Sequence, residues 1–416
     1  MVPRAAPFAQ RCHDDGELRL AARHWTGGLR LLIGDDPVNL TVTDGFITIG
    51  DPGEGHGVIT IAGPLAAWEP LFLTVPPPYF NDITVATNGL GLERSGDELI
   101  WWQYVPAIQR IVELLRAPGA GAAATVSEPG PTPRFDSPVG RYVHIELAGH
   151  DHRIYFEEAG SGIPVLLQHT AGSHGVQWRH LFERPEITDH FRLIAYDLPF
   201  HGKSVPPIGR RWWEEQYKLT GEFLRSVPTT LARVLELDRP VFMGCSVGGL
   251  LALDLALRHP AAFRSVISLE GALKVNGRWD QLSGFWHPQV SNETKARMME
   301  GLTSPTSPDP YRKETIQAYA AGWPQAFLGD LWYYLVDYDL TGRAHEIDTN
   351  KIGVHILSGE YDYSGSPHLG RAAHQAIAGS TWSEMPGLGH FPMSENPEAF
   401  IPHLIPILDT IRREGR

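Results

Sequence analysis

The sequence predicts an α/β protein that is preceded by a smaller α+β domain, and three observations support this fold class. Unbroken apolar runs such as IPVLLQ (163–168) and FRLIAYD (191–197) are separated by helical stretches, which is typical of parallel strands covered on both faces of a sheet. Nearer the N-terminus, short strands with alternating apolar and polar residues precede an amphipathic helix. The chain has 416 residues, whereas a single hydrophobic core seldom grows past about 250 to 300, so more than one core is expected.

The composition is that of a globular protein and excludes several functional classes. Apolar residues make up 42% of the chain and charged residues 20%, which is ample material for packed cores. The net charge of -13 opposes the attraction to phosphate on which nucleic-acid binding depends, so a nucleic-acid partner is excluded. No apolar run reaches the about 18 residues of a membrane span, and residues 1–15 lack the apolar centre of a secretory signal. With only Cys12 and Cys245 in the chain, we expect a cytoplasmic protein without a disulfide framework.

A segment rich in Ala, Pro and Gly divides the chain. These three residue types occupy 12 of the 18 positions from 117 to 134, where no apolar periodicity survives. We therefore predict a linker over 117–135, a first domain over 1–116 and a second domain over 136–416.

The first domain is predicted to be a twisted sheet covered by helices. Val38, Leu40 and Val42 alternate with polar residues, and Asp44-Gly45 then supplies the residues of a hairpin turn. Residues 105–116 carry apolar side chains at helical spacing.

This domain resembles the sterol-carrier-protein-like fold. The resemblance rests on LRLLIGDDPVNLTVTDGFITIGD (29–51) and GVITIAGPLAAWEPLF (57–72). It implies either a module that gathers apolar ligands or one that serves packing and assembly, and a homodimer is one expected form of such assembly.

A tight turn between a strand and a helix marks the first candidate catalytic residue. The strand VFMG (241–244) leads into Gly244-Cys245-Ser246-Val247-Gly248-Gly249, and a helical stretch follows. Such a turn needs glycines, because side chains there would collide with neighbouring backbone, and it exposes the central serine at a helix N-terminus. We therefore predict that Ser246 is a nucleophile.

A serine nucleophile requires a histidine base and an acid that orients it. His390 lies in the Gly-rich loop MPGLGHFPMSENP, after the last predicted strand at 381–385. Asp362 follows the strand IGVHILSG (352–359), at a carboxyl strand end where functional loops gather. Glu270 is an alternative acid, because it ends an earlier strand in VISLEGA.

Four ordered motifs make the second domain resemble the α/β-hydrolase superfamily. They are GCSVGG, DLPFHGKS (197–204), GEYD (359–362) and GLGHFPMSENP (387–397). The resemblance implies an α/β-hydrolase fold whose triad is Ser246, Asp362 and His390.

The resemblance also implies an oxyanion hole of two backbone amides. One is the amide of Val247, after the nucleophile, and the other comes from the loop QHTAGSHG (168–175). Alignment on the family motif assigns this second donor to Ala171, with Thr170 as the next candidate. Thr170 stands where the family usually has glycine and adds a hydroxyl to the loop.

Residues 272–348 depart from the strand rhythm, and in this superfamily an insertion there forms a helical cap. The cap is rich in aromatic residues, which favours a bulky apolar or aromatic small-molecule substrate. These residues are Trp279, Phe285, Trp286, Tyr311, Tyr319, Trp323, Phe327, Trp332, Tyr333, Tyr334 and Tyr338. No cofactor or metal is required by any motif.

Three functions remain open at this point. The leading hypothesis is a serine hydrolase that cleaves a carboxylic ester or lactone through an acyl-enzyme. The second is a carbon-carbon bond hydrolase that acts on a diketone-like aromatic compound with the same triad. The third is a binding protein for apolar ligands.

Overall fold

A computed structural model describes residues 5–116 and 135–414 of the chain. The linker predicted over 117–135 lies outside these residues, apart from Phe135. Of the described residues, 5–116 and His287–Thr306 form one compact unit, and 135–286 and 307–414 form a second.

The strands are short and distributed along both units. In chain order they are β1 (Gly27–Ile33), β2 (Asp36–Thr43), β3 (Phe46–Ile49), β4 (Val58–Gly63), β5 (Glu93–Gly96), β6 (Val139–Leu147), β7 (His150–Ala159), β8 (Ile163–Gln168), β9 (Phe191–Tyr196), β10 (Val241–Cys245), β11 (Ser265–Leu269), β12 (Gly353–Gly359) and β13 (Thr381–Met385).

The α-helices range from a single turn to eighteen residues. They are α1 (Ala5–Asp14), α2 (Gly16–Ala22), α3 (Leu65–Trp68), α4 (Ile83–Ala86), α5 (Glu98–Leu115), α6 (Arg179–Phe182), α7 (Pro185–Thr188), α8 (Gly221–Val234), α9 (Val247–Arg258), α10 (Asn292–Glu300), α11 (Asp309–Ala320), α12 (Pro324–Trp332), α13 (Pro367–Ala376), α14 (Pro392–Glu395) and α15 (Pro397–Glu414). Short 3-10 helices span Glu69–Phe72, Gly175–Trp178, Trp212–Glu214, Trp279–Trp286 and Ala344–Glu346, and a π-helix spans Tyr333–Asp337.

The first unit is built on a five-stranded sheet of order β3-β2-β1-β4-β5. The predicted hairpin is confirmed: β2 and β3 pair antiparallel, and the turn residues Asp44 and Gly45 have φ angles of 48° and 80°. Helix α5 begins before the predicted residue 105, because the side chain of Asp97 caps it by accepting from the amides of Leu99 and Ile100. Likeness of this unit to sterol-carrier proteins stays a prediction.

Residues 287–306 depart from the expected cap. The cap is expected to run unbroken over about 272–348, but this stretch packs in the first unit, where α10 lies against α5. The Asn81 amide donates to the carbonyls of Gly301 (2.9 Å) and Thr303 (3.2 Å), and Arg297 forms an ion pair with Glu17. Helical spacing identifies α10 as a helix, but it does not say which core covers its apolar side.

The second unit has an eight-stranded sheet of order β13-β12-β11-β10-β8-β9-β7-β6. Strands β8 to β13 pair parallel, and the predicted hairpin of β6 and β7 adds the antiparallel edge. Every residue of β10, β11 and β12 is buried, as expected for parallel strands covered on both faces. The sequence prediction of a mostly parallel sheet is confirmed, and β10, which precedes Ser246, lies near its centre.

Candidate active site

Ser246 occupies a strained turn between β10 and α9. Its φ and ψ are 60° and -113°, a backbone conformation that residues other than glycine rarely adopt. Its side chain is buried. The turn closes only because its neighbours are glycines. A Cβ at Gly244 would lie 2.4 Å from the carbonyl oxygen of Gly248, and one at Gly249 would lie 2.1 Å from that of Leu269. The predicted need for glycines is thus a matter of direct backbone contact.

His390 and Asp362 form a buried hydrogen-bonded pair. The His390 Nδ1 atom lies 2.7 Å from Asp362 Oδ2, and Asp362 also accepts the backbone amides of Ser364 (2.7 Å) and Gly365 (2.9 Å). Burial alone would raise the pKa of Asp362, but the charge and hydrogen bond of His390 outweigh it and lower that pKa. Since an ionised carboxylate only accepts, Nδ1 carries the proton and Nε2 is left as a base.

Glu270 forms its hydrogen bonds with the backbone of Gly359 and not with the histidine. Both of its carboxyl oxygens lie 2.9 Å from the amide of Gly359, and the side chain is fully buried. Burial raises the pKa of Glu270 well above its ordinary value, and the neighbouring charge of Asp362 raises it further. Burial beside Asp362 therefore favours the protonated form of Glu270. The carboxylate that touches His390 is that of Asp362.

The loop after β8 contains the candidate oxyanion donors. The Thr170 amide already donates to Gln177 Oε1 (3.1 Å), and the Gly172 amide donates to Asp330 Oδ2 (2.7 Å). Ala171 lies between them, and its amide donates to no acceptor in the described ranges 5–116 and 135–414.

The second candidate amide belongs to Val247, the first residue of α9. Amides in the first turn of a helix have no partner within the helix, so this one is available to a ligand. The Thr170 hydroxyl is occupied by Gln177 and by the hydroxyl of Tyr319, a cap residue on α11. The loop therefore offers Ala171, and not Thr170, as a free donor.

His169 fixes the same loop from within and was not selected from the sequence. Its Nε2 accepts from the amide of Leu198 (3.0 Å), and its Nδ1 donates to the carbonyl of Thr170 (2.8 Å). Complete burial lowers the pKa of His169 well below its ordinary value, so the ring is neutral and holds one tautomer.

Asp330, on helix α12 of the cap, is a second residue that sequence reasoning missed. Its side chain is fully buried and accepts from Gly172, from His201 Nε2 (2.8 Å) and from the Tyr217 hydroxyl (3.1 Å). Burial alone would lower the pKa of His201, but the charge of Asp330 outweighs it and raises that pKa. With Nδ1 also 2.9 Å from the carbonyl of Pro199, both ring nitrogens donate and His201 is an imidazolium. A buried ion pair thus connects α12, in the predicted cap, to the candidate oxyanion loop.

Aromatic side chains line a cavity of about 250 Å³ next to this ion pair, together with the charged side chains of Arg210, Glu215 and Lys218. Phe200, Trp212, Tyr217 and Trp323 line it, with ring centroids of contacting pairs 4.8 to 6.5 Å apart. Tyr217 belongs to both features, because its ring lines the cavity and its hydroxyl binds Asp330.

The described residues give two further negative observations. None of their His, Cys, Asp and Glu side chains gather in threes in a way suited to a metal ion. None of their helices combines the length and the apolar character needed to cross a membrane.

Comparison with known proteins identifies the family. A family model for the alpha/beta hydrolase fold matches residues 163–397. The chain therefore belongs to the α/β-hydrolase fold family, and the resemblance drawn from the four motifs is confirmed. Hydrolase is thus the enzyme class that the fold and the relatives support.

Two curated relatives of this chain are hydrolases named for different substrates. The chain is 26% identical over 273 residues to the pimeloyl-[acyl-carrier protein] methyl ester esterase of Nitrosospira multiformis, an alignment that covers 61% of this chain and 97% of the relative. It is 33% identical over 146 residues to the 2-hydroxy-6-oxo-2,4-heptadienoate hydrolase of Pseudomonas putida, covering 33% of this chain and 49% of the relative.

Solved structures agree in fold. An esterase from Thermogutta terrifontis superposes with a TM-score of 0.56 at 20% identity, covering 65% of this chain and 99% of that one. An enol-lactonase from Burkholderia xenovorans superposes with a TM-score of 0.55 at 20% identity, covering 64% and 100%.

Proposed function

We propose that the protein is a serine hydrolase that cleaves a carboxylic ester or lactone of a bulky apolar or aromatic compound. The observation that supports this most directly is the His390–Asp362 hydrogen bond of 2.7 Å in the unit whose strand β10 presents Ser246 at a strained, glycine-lined turn. No step of the proposed reaction requires a metal or a cofactor.

The first half of the reaction forms an acyl-enzyme. His390 Nε2 takes the proton of Ser246 as its Oγ bonds to the substrate carbonyl carbon, and the negative charge of Asp362 stabilises the imidazolium that results. The carbonyl oxygen becomes an oxyanion and receives hydrogen bonds from the amides of Ala171 and Val247. Removing one such donor typically costs on the order of 100- to 1000-fold in turnover.

The first half ends when the alcohol leaves, and water carries out the second half. The imidazolium of His390 gives its proton to the departing alcohol oxygen as the ester C–O bond breaks, which leaves the acyl group on Ser246. Water then attacks the acyl carbon, His390 takes one of its protons, and the acid leaves as Ser246 Oγ regains a proton.

The aromatic cavity supports the substrate class. Tyr217, whose ring lines the cavity, connects to the candidate oxyanion loop through two hydrogen bonds, from its hydroxyl to Asp330 and from the Gly172 amide to Asp330. Ligand sites are commonly apolar, with a few fixed polar groups, and flat aromatic walls favour aryl groups. We propose that this cavity accepts the aromatic or bulky part of the substrate.

Ester hydrolysis and its dependence on Ser246 test the proposal. The wild type should hydrolyse p-nitrophenyl butyrate, and Ser246→Ala should abolish it while circular dichroism shows an intact fold. Hydrolysis that persists in Ser246→Ala would reject the triad. Absence of hydrolysis in the wild type across simple, aromatic and lactone esters would favour an apolar-ligand-binding protein instead.

The substrate class has its own test. Trp323→Leu should raise the KM for a benzyl or naphthyl ester and leave that for a methyl ester of the same acid nearly unchanged. Trp213→Ala is a matched control, because Trp213 is 61% exposed and is absent from the cavity lining. Equal effects of both substitutions on both esters would reject the cavity as the aromatic subsite.

Carbon-carbon bond hydrolysis is a second candidate, because the relative from Pseudomonas putida is named as a hydrolase of an oxo-dienoate and is the more identical of the two relatives over its shorter alignment. Turnover of a ring-fission diketone can be measured as the loss of its visible absorbance. Carbon-carbon bond hydrolysis would be favoured if this turnover exceeds that of every ester in the panel.

We further propose that the first unit is noncatalytic and serves packing and assembly, which is one of the two roles that its resemblance to sterol-carrier proteins implies. Helix α10 supports this, since it packs against α5 and its Met298 lies against the core of that unit. The alternative role is to gather apolar ligands. Sedimentation of the 46.1 kDa chain tests assembly, and a homodimer would have twice that mass.

A further inference from the structure

A tyrosine hydroxyl lies beside the loop that carries Asp362. Tyr334 is 4% exposed, its hydroxyl oxygen lies 3.1 Å from Ser364 Oγ, and the Ser246 side chain is near enough to oppose the rise in its pKa that burial causes. It belongs to the π-helix Tyr333–Asp337, and short π-helical turns are frequent at functional sites because they redirect side chains from the regular helical pattern.

The partners of Tyr334 define on which side of the nucleophile it lies. Ser364 is two residues after Asp362 in the loop that follows β12, and its Oγ is 3.3 Å from His390 Nδ1. The candidate oxyanion donor Ala171 follows β8. In the sheet, β10 lies between β8 on one side and β11 and β12 on the other. Tyr334 therefore approaches Ser246 from the side of the histidine, opposite the loop of the oxyanion donor.

The histidine side is where an alcohol must depart, because the imidazolium delivers its proton there. We propose that Tyr334 is a catalytic residue whose hydroxyl donates a hydrogen bond to the alcohol oxygen as it leaves the acyl carbon. This rests on the ester hydrolysis proposed above. The group that it binds is the alkoxy group of an alkyl ester, which is a poor leaving group.

Atoms and charges balance without ionisation of the tyrosine. When the tetrahedral adduct collapses, the bond between the acyl carbon and the alcohol oxygen breaks, and its electron pair stays on that oxygen. His390 supplies the proton that it took from Ser246. Burial and then the charge of Asp362 raise the pKa of Tyr334, so the phenol stays neutral and keeps its own proton throughout.

A leaving-group comparison tests this role. Alkyl alkoxides leave as strong bases and need a donor, whereas p-nitrophenolate is stable alone. Tyr334→Phe should therefore lower kcat/KM for the methyl or ethyl ester of an acid by about 100-fold, the lower end of the scale for one lost transition-state donor, and lower it for the p-nitrophenyl ester of the same acid by less than about 3-fold.

Tyr338→Phe is the matched control. Tyr338 is equally buried at 4% exposure, lies four residues along the same segment, and donates to the backbone carbonyl of Ala272 at 2.8 Å. It should reduce stability without changing the ratio of alkyl to p-nitrophenyl rates. If Tyr334→Phe does not fold, Tyr334→Met also removes the hydroxyl, leaves Ser364 in place beside His390, and should give the same selective loss for alkyl esters.

The outcomes separate this inference from the function on which it rests. A selective loss for alkyl esters supports the role of Tyr334. Equal losses for both esters, or no loss, overturn it while leaving ester hydrolysis intact. A wild type that hydrolyses neither ester overturns the proposed function, and this inference with it.

Discussion

Replacing Asp330 by asparagine should reduce both stability and turnover, because one buried carboxylate holds the cap, His201 and the candidate oxyanion loop together. Asparagine has the same shape but no charge. Its single carbonyl oxygen cannot serve the three donors that reach Asp330 from Gly172, His201 and Tyr217 at 2.7, 2.8 and 3.1 Å.

The structure sets the expected loss of stability. Removing one partner of a buried ion pair typically costs about 3 to 5 kcal/mol. A hydrogen bond to a charged group contributes about 1.5 to 3 kcal/mol, and the asparagine oxygen keeps one of the three bonds. We therefore expect Asp330→Asn to lower the free energy of unfolding by about 3 kcal/mol at a pH where His201 is charged.

The loss should depend on pH, with a sign fixed by His201. The folded-state pKa of His201 is raised, so its charged form stabilises the fold fully below the unfolded value of about 6.5, and this contribution disappears as pH rises through the folded pKa. Asp330→Asn removes the anion that holds the proton. The difference in stability between wild type and variant should therefore be largest below about pH 6.5 and shrink above the folded pKa of His201.

Turnover should fall as well, because the Gly172 amide loses its anchor beside Ala171. A displacement of about 1 Å at a catalytic group can cost on the order of 100-fold, so we expect kcat for an ester to fall by about 10- to 100-fold with a small change in KM.

Urea unfolding at pH 5.5, 7.5 and 9, with kcat measured on the same preparations, checks both effects. Asp339→Asn is the control, because the Asp339–Lys274 ion pair of the cap is exposed and worth about 0 to 1 kcal/mol. A stability loss for Asp330→Asn no larger than that of the control, or one that grows with rising pH, would refute this account of the ion pair.

Three further predictions concern the triad, the strained turn and an ion pair of the cap. Asp362→Asn should lower kcat by about 10,000-fold, whereas Glu270→Gln, which preserves a donor to Asp362, should cost less than about 10-fold; the reverse order in an ester assay would make Glu270 the acid. Ser246→Gly should melt higher than Ser246→Ala, since relief of a strained backbone is worth about 1 to 3 kcal/mol, and equal melting temperatures would argue against strain. The ion pairs and hydrogen bonds of Glu314 outweigh its burial and lower its pKa to about 2, so its stabilising contribution is present above its usual 4.5 and lost as pH falls toward 2. Glu314→Gln should therefore flatten the decline in stability over that acid range, and an unchanged acid slope would contradict it.

Features that depend on short stretches of sequence could be predicted without a structure. The apolar runs of β8 and β9 report burial on both faces, and the glycines around Ser246 report a backbone contact that no side chain permits. Order along the chain likewise selected Asp362 and His390 as candidates, because loops at the carboxyl ends of parallel strands gather at one edge. Helices α1 and α2 were not predicted.

Contacts between segments that are distant in sequence could not be predicted from the sequence, and these contacts determine much of the candidate site. Asp330 in the sequence is one aspartate in the mostly apolar helix α12, and nothing local shows that it reaches Gly172 and His201. The choice between Asp362 and Glu270 depends on which carboxyl touches the ring, a distance of 2.7 Å that spans 28 residues of chain. Similarly, α10 has the pattern of any cap helix, yet it packs in the first unit.

The sequence by itself determined the fold class, the strained serine turn and the candidate residues, because these follow from burial, spacing and backbone sterics within short windows. Only the tertiary structure decided which amide of the loop is free, which acid meets the histidine, and that Tyr334 contacts Ser364 beside that histidine. Those properties depend on pairs of groups brought together by packing, and a one-dimensional pattern does not contain their distances.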